Sequence, residues 1–203
     1  MPHMRVLKLG GSRLDWPAWP EELRRWLSRE AAANDVLIVG GGKLADAVRE
    51  YDRLHQLSTE TAHLLAIGAM SMTARLAAEL LDVPRVVQQI DELKQFVGER
   101  GLQVFDAADF LKRDDARSPR ALPCSWEVTS DSIAARVAEV LGAKELVLLK
   151  STLPQLPHGS LQRWVEEGVV DRYLPRALAP HMRVRLVNLR AAEFSECALA
   201  EHG

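Results

Sequence analysis

A chain of 203 residues, 47 % of them apolar, can bury one sizeable α/β core and is too short for two generous ones. Its formal net charge of −2, with acids and bases interleaved, excludes an extended nucleic-acid surface, and its 2 cysteines, Cys124 and Cys197, are too far apart for a CxxC, a disulfide framework or a standard zinc site. No apolar run reaches the length of a membrane span and no basic segment leads into an apolar stretch at the start, so a soluble, cytoplasmic protein is expected.

Arg5 to Leu9 is predicted as a first strand, ending at Gly10-Gly11-Ser12. Trp19 to Ala32 is predicted as a helix with Leu23, Trp26 and Leu27 on one face, packed by Trp16, Trp19 and Trp26. Asp35 to Val39, apolar and β-branched after its first residue, reads as a buried parallel strand that ends at Gly40-Gly41-Gly42. Leu44, Ala47, Val48 and Tyr51 fall at helical spacing, and Ser58 is placed as the N-cap of a long helix, Thr61 to Leu81. That helix carries Leu64, Leu65, Ile67, Met70 and Leu76 on more than one face, which predicts a homodimer through it.

Further along, Arg85 to Val87 reads as a short strand and Asp91 to Phe96 as a short helix, while Val104-Phe105 opens a less regular stretch. Ala107 to Lys112 is predicted helical, and the charged segment Lys112 to Arg120, with its Ser118-Pro119, an exposed connection. Ser130 to Leu141 is predicted as a helix capped by Thr129 or Ser130, followed by strands at Glu145 to Leu149 and, last, Val184 to Val187. Strands separated by helices imply a largely parallel sheet covered on both faces, taken as one domain over residues 1–203.

The chemistry begins where strands stop at glycines, because backbone N–H groups there approach a ligand with no Cβ in the way. Successive N–H groups form an anion-binding concavity, and a following helix adds the positive end of its dipole. Neither loop has the GxxxxGK[ST] of the common NTPases or the GxGxxG of dinucleotide sites. Lys8, two residues before Gly10, is costly to bury unless it reaches water or meets an anion, and the two loops beside it favour the anion. Lys150 ends a strand at the rim where open α/β sheets place ligand groups. Thr129-Ser130-Asp131-Ser132 is either a capped helix start or a site in which Asp131 orients lysines. Trp126 either packs or walls a substrate pocket; His63 is read as a partly buried helix residue, and the histidines show no metal-ligand spacing, so no metal-ligand residues are expected. Lys8, Lys150, Asp131 and both glycine turns are expected to converge on one cavity, an electrostatic phosphoryl-transfer site without a covalent nucleophile.

The order of these parts resembles the amino acid kinase superfamily, which includes acetylglutamate, aspartate, uridylate, carbamate and isopentenyl phosphate kinases. Lys8-Leu9-Gly10-Gly11-Ser12 is similar to its opening KxGGS loop, Gly40-Gly41-Gly42 to its second loop, Thr129-Ser130-Asp131 to its N/S-x-D motif, and Leu148-Leu149-Lys150-Ser151 to the strand leading into the nucleotide region. Within the superfamily the likeness runs furthest to the aminomethylfuran phosphate kinases of methanofuran-type cofactor assembly. It is carried by Ala45-Asp46, Val48-Arg49, His63 to Ile67 with Met70, Ser125-Trp126, Ser132, Val170-Asp171 with Pro175, and Val187-Asn188.

The resemblance implies a three-layer α/β/α sandwich, carbamate kinase-like, and transfer of a phosphoryl group from ATP with Mg²⁺ to a small phosphate monoester. It implies catalytic roles for Lys8, Asp131 and Lys150, and phosphate or substrate binding by Gly10, Gly11, Ser12, Gly40, Gly41, Gly42, Trp126, Thr129 and Ser130. Arg49 stands either at the substrate phosphate or as an exposed helix arginine. Ser151 to Pro157 departs from the family pattern, the nucleotide half looks shortened, and Arg176 is the nearest cation to the family's late lysine. A non-catalytic binding protein on the same fold, and a kinase for a carboxylate or another phosphate, remain as alternatives.

Overall fold

β1 (Met4–Leu9) lies at the centre of a seven-stranded sheet, and its alternation gives the sheet two different faces. Leu7 and Leu9 point to one core, with Leu37, Val39, Val147 and Leu149 of the neighbouring strands. Val6 points to the other, with Val36, Ile38, Leu146 and Leu148, and Lys8 shares this parity. A computed structural model describes residues 3–96, 101–154, 160–191 and 193–199.

After β1 the chain makes a 3₁₀ turn at Gly11–Arg13 and enters α1 (Trp19–Arg29), whose Glu21 and Glu22 complement the helix dipole at its start. β2 (Asn34–Val39), α2 (Gly42–His55) and α3 (Thr59–Leu80) follow, α3 with Ser58 as N-cap accepting from Thr61 N at 3.2 Å. Then come β3 (Val86–Val87), α4 (Ile90–Gln95), β4 (Gly101–Phe105), a π-helical turn at Phe110–Asp114, α5 (Ser130–Val140), β5 (Glu145–Lys150), α6 (Leu161–Glu166), α7 (Leu174–Ala177), β6 (Arg183–Asn188) and β7 (Ser195–Ala198). The strand order is β3-β4-β2-β1-β5-β6-β7, parallel throughout except for β7, which pairs antiparallel with β6 at the edge. Helices cover both faces, giving the expected three-layer α/β/α sandwich with a largely parallel sheet.

Three expectations are corrected. The stretch opening at Val104-Phe105 is the end of strand β4, paired with β2 on one side and β3 on the other. Val184 to Val187 is not the last strand, because β7 follows it. Lys112 to Arg120 is not simply an exposed connection: Asp115 is buried, accepts Leu122 N at 2.8 Å and pairs with Arg136 Nε at 2.7 Å. Gln155 to Pro157 of the departing segment lies outside the described residues.

α5 determines the site. Ser130 through Ala138 are buried all round, so the helix is locked against the Val6/Leu148 face with its N-terminus at the carboxyl ends of β1 and β5. Lys8 and Lys150 project from that face, since Lys150 is two residues past Leu148, directly under the first turn of α5.

Candidate active site

Asp131, 3 % exposed in the first turn of α5, receives both lysines. Lys8 Nζ lies 2.9 Å from Oδ1, and Lys150 Nζ lies 2.8 Å from Oδ1 and 2.7 Å from Oδ2. Burial alone would raise the Asp131 carboxyl, but the charges of Lys8 and Lys150 and their hydrogen bonds bring it down to about 2. Burial and then the neighbouring charge of Lys8 draw Lys150 down to about 8, against the pull of Asp131. Two cations share one buried carboxylate, and the charge of Asp171 also bears on Lys150.

A second carboxylate, Asp171, fixes this arrangement. Its Oδ2 accepts Thr129 N at 3.0 Å, Thr129 Oγ1 at 2.8 Å and Ser132 N at 3.0 Å, its Oδ1 accepts Ser132 Oγ and the start of α7 at Leu174 N (2.8 Å), and its own N–H donates to Asp131 Oδ2 at 3.2 Å. Asp171 therefore caps two helices and anchors the residue that aims the lysines. Its only trace in the sequence is the Val170-Asp171 pair; 40 residues separate it from Asp131.

The glycine loops meet each other. Gly10 N donates to Leu149 O at 3.4 Å and Gly40 N to Leu9 O at 2.9 Å, continuing the sheet pairing to its end. Gly11 then lies against Gly42, whose φ of +53° is the left-handed conformation that a side chain disfavours. This contact makes a ridge, and the ridge divides the expected single cavity in two. One, about 240 Å³, is lined by Lys8, Gly10, Lys150, Ser151, Thr152 and Arg13; the other, about 250 Å³, by Gly40 to Gly42, Arg49, His63, Met70, Trp126, Thr129 and Ser130. Both include Gly11 and Ser12.

The model of the amino acid kinase family matches residues 3–152, the segment that carries both glycine loops, Asp131 and Lys150. The chain belongs to that family. It is similar to the [5-(aminomethyl)furan-3-yl]methyl phosphate kinase of Methanocaldococcus jannaschii, with 28 % identity over 148 residues, 71 % of this chain and 64 % of that protein. It thus spans somewhat under two thirds of the curated relative it matches. Among solved structures it is similar in fold to the UMP kinase of Bacillus anthracis (TM-score 0.71, 10 % identity, 100 % of this chain and 98 % of that one) and to Giardia carbamate kinase (TM-score 0.61, 10 % identity, 99 % of each).

Within this family member Lys8, Lys150, Asp131 and both glycine loops stand at the same rim of the sheet, but not all do what was expected, and Asp131 lines neither cavity. Asp131 is more than a helix-start residue: Thr129 is the cap, and the Asp131 carboxylate is spent on the lysines. Arg49 is an exposed residue of α2 that lies over the Trp126 ring at 4.6 Å and faces Asp46 at 3.5 Å, while Trp126 Nε1 donates to Asp52 at 2.7 Å. Trp126 is therefore pinned as a wall of the cavity that Gly40 to Gly42 line. His63 is partly buried in α3 as expected and also lines that cavity, and burial lowers its pKa, keeping the ring neutral near pH 7. Arg176 lies over Tyr173 at 5.9 Å and lines neither of the two cavities at the ridge.

Proposed function

We propose that the protein is a cytoplasmic small-molecule kinase that transfers the γ-phosphoryl group of ATP to a phosphate monoester. The observation that carries this is the pair of cavities meeting at Gly11-Ser12, one walled by Lys8 and Lys150, the other by apolar and polar side chains in mixture. Donor and acceptor on either side of a thin ridge suit an in-line displacement, which needs positioning and charge neutralisation. The bond from the γ-phosphorus to the ADP oxygen breaks as an acceptor phosphate oxygen forms its own. In this reading Lys8 and Lys150 hold the developing charge, Asp131 orients them, and N–H groups of Gly10, Gly11, Gly41 and Gly42 with Ser12 steady the moving group.

ATP enters as its Mg²⁺ complex, in which the metal neutralises phosphate charge. Among the described residues no group of three His, Cys, Asp or Glu could hold a metal, and the Asp131 oxygens are taken up by lysines and Asp171 N. This fits an ion carried in on the phosphates, as Mg²⁺ commonly is, rather than one caged by the protein.

For the acceptor, Ile67, Met70 and Trp126 offer apolar lining, with Arg49 and Asp46 as opposite charges in the same cavity. A small ring bearing a phosphate at one end and an ammonium at the other matches that layout, and the substrate in the name of the Methanocaldococcus jannaschii relative is of this kind. Incubation with MgATP and an aminomethylfuran phosphate should yield ADP and a diphosphate, at a rate that Lys8→Ala abolishes; no ADP above the Lys8→Ala background would sink the reading. A second reading, a binding protein without turnover, is favoured by the region between β5 and β6, where the described chain builds only the short helices α6 and α7. Calorimetry that detects no ATP or ADP at millimolar concentration would select it.

The pH profile follows from Lys150. In kcat/KM, which titrates the free enzyme, activity should fall above about pH 8 as Lys150 loses its proton. In kcat the fall should come later, because a bound phosphate chain favours the charged lysine. Lys150→Arg should push the kcat/KM limb upward, and a level profile between about pH 7 and 10 would deny Lys150 its charge role.

The exposed large apolar side chains among the described residues all lie on α2 and α3, Leu65, Met72 and Leu76 among them. A second copy of the chain is proposed as their cover, in a two-fold dimer. Light scattering at tens of micromolar should give twice the chain mass, and Leu76→Asp should halve it; a monomeric parent would remove the dimer.

A further inference from the structure

Arg13 closes the 3₁₀ turn that follows the first glycine loop, and its side chain is at odds with every other buried arginine. Arg5 pairs with Asp35 and Glu30, Arg136 with Asp115 and Glu139, and Arg185 with Glu30, Glu145 and Glu196. Arg13 is 1 % exposed, yet its Nη1 and Nη2 meet no hydrogen-bond acceptor among the described residues. The charge that bears on it is another cation: after burial itself, Arg190 lowers its pKa, to about 10. Arg190 follows β6 at the same rim of the sheet and lies over the Trp16 ring at 5.2 Å.

A buried guanidinium with no carboxylate and a like-charged neighbour is unfavourable unless an anion comes from outside the chain. Arg13 lines the cavity of Lys8, Gly10 and Lys150, where the reading above seats the phosphoryl donor. We propose that Arg13 is a phosphate-binding residue of that cavity, joining the two lysines in holding oxygens of the donor's polyphosphate chain. The proposal rests on the kinase reading for the identity of the donor. A planar guanidinium grips phosphate oxygens in a two-pronged fashion that neither lysine can supply. Contact requires a turn about the outer side-chain torsions, which lie in staggered wells that interconvert readily. The nucleotide side would then draw its further cation from the start of the chain, where Arg176 on α7 does not reach.

The test is calorimetric titration of the parent, Arg13→Met and Arg13→Lys with Mg²⁺ and either inorganic triphosphate or ATP, beside thermal unfolding of each protein with and without triphosphate. Arg13→Met should bind both ligands about tenfold to a hundredfold more weakly, with Arg13→Lys recovering part of the loss. Without ligand, Arg13→Met should unfold at or above the parent's temperature, and triphosphate should raise its midpoint less than the parent's. Equal affinities for parent and Arg13→Met would overturn the proposal while leaving the kinase reading intact. A methionine variant that fails to fold, or unfolds well below the parent, would make Arg13 a structural residue and overturn it likewise. A parent that binds neither ligand would instead bring down the donor cavity, and this inference with it.

Discussion

Asp131→Asn should cost the protein both stability and turnover. The amide has the carboxylate's size but not its charge, so Lys8 and Lys150, now each within about 3 Å of a neutral oxygen, would repel each other in a site that water scarcely enters. Removing one partner from a buried ionic cluster costs about 3–5 kcal/mol. In a chain of this length that corresponds to a melting midpoint lower by roughly 10 °C. The sign of the acid dependence is also fixed: the Asp131 carboxyl titrates near 2 when folded against 3.8 when unfolded, so its stabilisation is complete above 3.8 and disappears as pH falls toward 2. The asparagine variant should lack that step. ADP formation should fall about 10²–10³-fold in kcat, since misdirected lysines no longer meet charge where it develops. Adding Lys150→Met should restore much of the stability, by removing the unpaired charge, while activity stays lost. A variant that melts with the parent and turns over at the parent's rate would show the triad to be idle.

What the sequence made legible was the part of the fold where local and global signals agree. β1 and β2 are apolar runs that stop at glycines, and α5 opens on a capping residue, so each element carries its own boundary. Convergence of Lys8, Lys150 and Asp131 could be inferred because parallel strands put their carboxyl ends together and the residues sit at those ends. The remainder depended on partners far along the chain. β4 holds Gln103 between Leu102 and Val104 and begins at a glycine, so it carries no clear period of its own; its pairing with β2 and β3 makes it a strand. β7 contributes a single buried side chain, Cys197, and is held partly by Glu196, which bonds Arg185 and Trp26. Asp115 hides in a run of charges that reads as solvated until Arg136 is known to lie beside it. His63 and Arg13 were opaque for the same reason: a polar residue in a helix or turn does not announce whether it faces a cavity.

Gly11→Ala should be the most damaging alanine substitution among the described glycines. A Cβ at Gly11 would stand 2.1 Å from Gly42 N, 2.3 Å from Gly42 Cα and 2.7 Å from Gly40 O, all backbone, with no flexible side chain to yield. Relief would require the two loops to part by more than an ångström or so, yet each is tied to the sheet by the Gly10 and Gly40 hydrogen bonds, and close-packed interiors do not accommodate such shifts cheaply. The expected loss is about 3 kcal/mol or more, enough to reduce soluble yield or lower the melting midpoint by roughly 10 °C. Gly10→Ala is the matched comparison. Its Cβ would meet nothing closer than Lys8 Nζ at 3.6 Å, and φ there is −62°, which alanine adopts freely. That variant should unfold within about 0.5 kcal/mol of the parent, while its methyl narrows the cavity beside Lys8 and weakens triphosphate binding. The pair separates two uses of adjacent glycines, one for contact between loops and one for access to a ligand. If both variants proved equally stable, the ridge between the two cavities would not be built on the Gly11–Gly42 contact, and the division of the site into donor and acceptor sides would lose its structural basis.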